Sequence, residues 1–145
     1  MTSQPTQQGL DTILEIATLM AKDDCQAQNV AKRLGQIQSG GEPNVPLKVK
    51  PSDSAFSAVR VAHNEAGEPT QVTLELVKPL PMEALVAAFG DYDTPPRLPN
   101  TKEPPRVSFD LQIEKAEHEV TLFASYESGG SAATSQVSRM MLFRD

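Results

Sequence analysis

One stretch near the C-terminus limits the possible folds more than any other part of the chain. Val107-Ser108-Phe109-Asp110-Leu111-Gln112-Ile113-Glu114 alternates apolar and polar at every step. Successive side chains of a strand point to opposite faces, so this period of two belongs to a strand with one buried and one wet face. A charged break at Lys115 to His118 follows. Glu119 to Tyr126 and, after a Gly/Ser-rich segment, Val137 to Phe143 then read as two more strands. In the first of the three, Val107, Phe109, Leu111 and Ile113 are expected inward and Ser108, Asp110, Gln112 and Glu114 outward. A slip of one residue would exchange the two sets.

The N-terminal half changes period. Leu10, Ile13, Leu14, Ala17, Met20 and Ala21 fall at helical spacing, opposite Asp11, Glu15, Thr18 and Lys22, which predicts a helix over about 6–22. Asp23-Asp24 offers an N-cap for a second helix that buries Val30, Ala31, Leu34 and Ile37. Gly35 either ends that helix or weakens it. Ser39 to Pro46 has loop composition. Leu47-Lys48-Val49-Lys50 reads as a short edge strand whose lysines suit a solvated edge. Phe56–His63 and Gln71–Val77, on either side of Glu65-Ala66-Gly67-Glu68, read as a hairpin. Pro79-Leu80-Pro81-Met82-Glu83 opens a short helix at about 81–89, proline being tolerated in a first turn, with Met82, Leu85, Val86 and Phe89 on its apolar side and Gly90 as its stop.

These elements amount to one α+β domain over residues 1–145, with 1–5 flexible. N-terminal helices pack on one face of an antiparallel sheet of five to six strands, and the short helix interrupts the strand order. A chain of this length supports one core. With no Trp and only 5% aromatic residues, Leu, Val, Ile and five Met must fill much of it.

The net charge of −6 is unevenly placed. Residues 1–50 balance five acids with five bases, so the excess lies in the remainder. An acidic chain repels phosphate backbones, and no run of Lys or Arg offsets this, so nucleic acid is not the expected partner. Cys25 is the only cysteine, which rules out an intrachain disulfide and suits a small core residue. The first eight residues show neither the basic nor the apolar region of a signal peptide, and no apolar stretch is long enough to span a bilayer. The expected setting is cytoplasmic.

Mechanistic signatures are missing. There is no phosphate-binding glycine loop, dinucleotide fingerprint, nucleophile elbow, C-x-x-C or H-E-x-x-H. Two histidines and one cysteine do not make a common zinc site. Asp91-Tyr92-Asp93 supplies two carboxylates, too few for calcium. Glu114, Glu117, His118 and Glu119 crowd one turn and read as a charged tip. No catalytic residue, metal or cofactor is therefore expected, and enzymatic activity is not the leading reading.

That reading is a non-enzymatic protein-binding or adaptor protein of bacterial type, comparable to secretion chaperones or immunity proteins only in being small, acidic and cofactor-free. Its partner would be another protein, and a homodimer is compatible with it. Residues 91–106 hold five prolines. Tyr92, Arg97 and Leu98 in this loop are the expected contacts, because Tyr and Arg are frequent hot spots and a prolyl loop loses little entropy on docking. Ser128 to Ser135 is a second loop of adaptable composition. The alternative is a small-ligand or enzymatic domain with a pocket between helices and sheet. Its marker would be Arg139, which faces the core if it shares a face with Val137 and Met141, and solvent if Met140 and Leu142 point inward.

Overall fold

A computed structural model describes residues 4–40, 42, 45–94, 105–126 and 135–144. Helix α1 (Gln4–Met20) is followed by α2 (Ala27–Leu34) and strands β1 (Gly35–Ser39), β2 (Leu47–Pro51), β3 (Phe56–His63) and β4 (Pro69–Pro81). Helix α3 (Met82–Phe89) then precedes β5 (Arg106–Asp110), β6 (Val120–Tyr126) and β7 (Gln136–Arg144). The α+β class and the inserted short helix match the sequence expectation. The strands form one antiparallel sheet of seven, in the order β1-β2-β3-β4-β7-β6-β5.

Seven replaces the expected five to six because β1 was not anticipated. Gly35 does end α2, its N–H bonding Ala31 O, but the chain then enters a strand at once. Ile37 therefore pairs with Val49 instead of extending the helical stripe. With one apolar residue in five, Gly-Gln-Ile-Gln-Ser has too little alternation to announce a strand. Its presence makes β2 an inner strand, so Lys48 and Lys50 do not guard an edge.

Helical periodicity translates into burial with two adjustments. On α1, Ile13, Ile16, Ala17 and Met20 are fully buried, whereas Leu14 is 44% exposed. The buried stripe is centred on the Ile13/Ile16/Met20 side and leaves Leu14 on its flank. Asp23-Asp24 does not cap α2. Gln26 holds the N-cap position without a side-chain bond, and two residues, Cys25 and Gln26, separate the acidic pair from the helix. Lys32 and Arg33 in the last turn oppose the negative end of the α2 dipole.

Strand β5 stops at Asp110, three residues short of Ile113. Val107 and Phe109 are fully buried and Asp110 is exposed, as the alternation requires. Leu111 and Ile113 remain packed against the core as half-buried residues. The chain leaves the sheet because the N–H groups of Glu117 and His118 both donate to Ala21 O (2.8 and 3.0 Å), drawing this segment onto the end of α1. Helices and the inner face of the sheet share one buried apolar cluster. Among the described residues, the buried polar ones are Thr12, Asp53 and Ser125. The Thr12 hydroxyl donates to Asp53 Oδ2 (3.0 Å), and Asp53 Oδ1 accepts Ala55 N–H (2.9 Å), which ties α1 to the turn before β3. No described helix is long and apolar enough to cross a membrane.

Candidate functional site

Strand geometry sorts the sheet into two chemically different faces. Inner positions such as Leu47, Val49, Val59, Val61, Val72, Leu74, Leu122, Met140 and Leu142 are buried. The intervening residues form the outer face, and the strand registers align them in rows. One row runs Arg60, Thr73, Met141, Phe123, Ser108 across β3, β4, β7, β6 and β5. The next runs Ala58, Glu75, Arg139, Ser125, Arg106. A groove of about 420 Å³ lies over the middle of these rows and is lined by Arg60, Gln71, Thr73, Glu75, Arg139 and Met141.

The groove is polar and internally organised. Arg139 Nη2 donates to Glu75 Oε1 at 2.9 Å, both side chains being a little under half exposed. Gln71 Nε2 donates to Thr73 Oγ1 (3.3 Å) and lies 3.5 Å from Met141 Sδ. Toward β5, Phe123 and Phe143 meet edge to face with centroids 5.1 Å apart, and the Arg106 guanidinium sits 4.6 Å over the Phe123 ring.

Arg139 illustrates why sequence parity left its side open. Val137, Met140 and Leu142 are all buried, while Ser138 and Arg139 are both exposed. The register slips between the Glu75–Arg139 and Leu80–Val137 pairs, so both parities hold, each on its own side of the slip. Its ion-pair partner, Glu75, lies with it on the wet face.

Of the expected contact residues, Tyr92 is the one that is described. Tyr92 is half-buried, its ring edge-on to Phe109 at 5.9 Å, and neighbouring Asp93 pairs with Ser108 through two backbone hydrogen bonds (2.8 and 2.9 Å). Tyr92 thus lies beside the core at the β5 edge, not on the outer face. Arg97 and Leu98 lie outside the described residues, as do 128–134 of the second loop. The described residues hold no cluster of three or more His, Cys, Asp or Glu able to bind a metal.

Two further features are structural in character. His118 Nε2 lies 2.9 Å from Asp23 Oδ1, and Glu117 Oε1 accepts Asp23 N–H at 3.3 Å, so the charged turn clasps the end of α1. Cys25 is buried, and burial pushes its thiol pKa up; the Arg144 guanidinium acts in the opposite direction with less effect. A protonated, enclosed thiol makes a poor nucleophile.

Sequence reasoning missed the outer-face cations as a group. Lys48, Lys50, Arg60, Arg106 and Arg139 are scattered over the chain and form no run. The signal lay in parity, since each occupies a polar step of a strand.

No family model matches the chain, and no curated protein sequence matches it. The crystal structure of a DUF4309 family protein (YjgB) from Bacillus subtilis is similar in architecture, with a TM-score of 0.51 over 85% of this chain and 80% of that one. Sequence identity is 8%, so the likeness concerns the fold alone.

Proposed function

We propose that this protein is a cytoplasmic, non-enzymatic binding or adaptor module that engages another protein through the outer face of its sheet. The observation that carries the reading is the contrast between the two faces. The inner face is apolar and largely packed under the helices, while the outer one presents a groove with cationic, carboxylate, amide, hydroxyl and thioether groups that are half-buried or exposed. Such a mixture suits an interface centre, where Arg and Met are enriched and hydrogen-bonding groups confer specificity. The side chains stand on paired central strands, so they are held in place before a partner arrives, which lowers the entropic cost of association. The loop that carries Tyr92, Arg97 and Leu98 is a second proposed contact, beginning at the β5 border of the sheet.

The test is co-purification from the native organism with the wild-type chain and with Thr73→Tyr. The substitution fills the middle of the groove, adds no charge and suits a strand. A protein recovered with the wild type and lost with Thr73→Tyr, at an unchanged melting midpoint, is the expected result. Recovery of the same proteins with both chains would overturn the assignment of the groove.

A further inference from the structure

Resting on that reading, we infer that the partner presents an acidic, extended polypeptide segment, and that the β2–β3 side of the outer face is where its carboxylates dock. The outer face carries Lys48 and Lys50 on β2, Arg60 on β3, Arg106 on β5 and Arg139 on β7, against Glu75 and Asp110. This is a basic surface on a chain whose net charge is −6.

Two of these cations oppose each other directly. Lys48 and Arg60 are register partners on adjacent strands, both exposed. Like charges at directly opposite positions, with Cβ atoms about 5 Å apart, destabilise a sheet. Glu75 is engaged by Arg139, and among the described residues no ion pair is formed by Lys48, Lys50 or Arg60. An edge-guarding role does not account for them, because β1 lies outside β2. The fold therefore carries an uncompensated repulsion that an incoming carboxylate would relieve.

The rest of the face selects a polypeptide over a nucleic acid. Stacking platforms for bases need open aromatic faces beside the cations. Here Phe123 is covered by Arg106 and abutted by Phe143, and both rings lie on β6 and β7, on the far side of β4 from the lysines. Glu75 stands between the two regions and would repel a continuous phosphate backbone. A polypeptide alternating acidic and apolar side chains meets no such conflict. Its carboxylates face Lys48 and Arg60, and its apolar groups reach the Thr73–Met141 part of the groove.

The experiment selects binders to the intact protein from a random peptide display library and measures the best synthetic peptide by fluorescence anisotropy. Single-stranded oligothymidylate serves as the polyanion control. The key variant is Lys48→Glu, which turns the repulsive pair into an attractive one. Peptides enriched in Asp and Glu, an affinity loss of about tenfold or more in Lys48→Glu and a raised melting temperature of the same variant support the inference. The combination matters, because a residue with a purely structural role would not lose binding while gaining stability. A selected pool without acidic enrichment, full binding by Lys48→Glu, or tighter binding of oligothymidylate than of any peptide overturns it. A co-purified partner lost with Thr73→Tyr but retained by Lys48→Glu would overturn the acidic chemistry alone and leave the groove assignment standing.

Discussion

Phe109 is the side chain on which the aromatic packing of the inner face converges. Fully buried, it receives the edges of Phe89 from α3 and Tyr92 from the following segment, each with ring centroids 5.9 Å away. Phe109→Ala should cost about 3–5 kcal/mol, through lost transfer energy and the cavity left behind, measured by urea denaturation. Its inward direction was legible in the strict alternation around it. The Tyr92 packing was not, because residue order does not reveal which loop side chain turns back onto a strand. Cys25 offers a pH-dependent test. Burial raises its folded pKa, so the folded thiol holds its proton more tightly than the unfolded one. Its contribution is complete below the unfolded-state pKa and is lost as pH rises through the folded value. As pH rises above the free-thiol value of about 8.5, wild-type stability should therefore fall more steeply than that of Cys25→Ala. Equal slopes for the two chains would show that the thiol feels no burial.

At the level of elements, legibility followed pattern length. Strand β3 was expected at its observed limits, Phe56–His63, because Val59 and Val61 share a face on either side of Arg60 between clear breaks. Helix α3 was equally plain, with Gly90 at φ 92° closing it in a conformation that suits glycine. Strand β1 escaped because one apolar side chain sets no period. Its junction is tight as well. A Cβ on Gly35 would lie 2.0 Å from Lys50 O, closer than any side chain tolerates. Gly35→Ala should therefore destabilise the protein by well over the ordinary glycine-to-alanine difference of about 1 kcal/mol, and with the opposite sign to a helix-interior site. Loss of amide-exchange protection in β1 and β2 would accompany it. The outer-face site was legible only as a parity of polar residues on separate strands. Which of them share a row depends on register, and register depends on the β4–β7 slip that no local pattern encodes.

Across the whole molecule, the sheet order is set by long-range pairing. Strand β7 occupies the position between β4 and β6, so the last strand in sequence joins the hairpin region to the β5–β6 pair. Arg144, one residue beyond the expected end of that strand, reaches back to the first helix. Its Nε donates to Met20 O at 2.7 Å and its Nη2 to Lys22 O at 2.9 Å, while Nη1 lies 3.7 Å from Glu68. Helix α1 has no basic residue in its own last turn, so this guanidinium serves its negative end from a distance in sequence. Its side chain is only 4% exposed. Arg144→Met keeps the aliphatic bulk and removes these bonds. It should cost about 1.5–3 kcal/mol, the range for hydrogen bonds to a charged group, read from the denaturation midpoint. An unchanged midpoint would mean that water replaces the guanidinium without loss. The same contact orders events in time. During synthesis α1 emerges 124 residues ahead of Arg144, the group that closes it, and well ahead of the strand that joins the two parts of the sheet. The nascent chain thus holds apolar helix and strand surfaces with no finished partner until β7 has followed, and the cell must tolerate that exposure for every copy it makes.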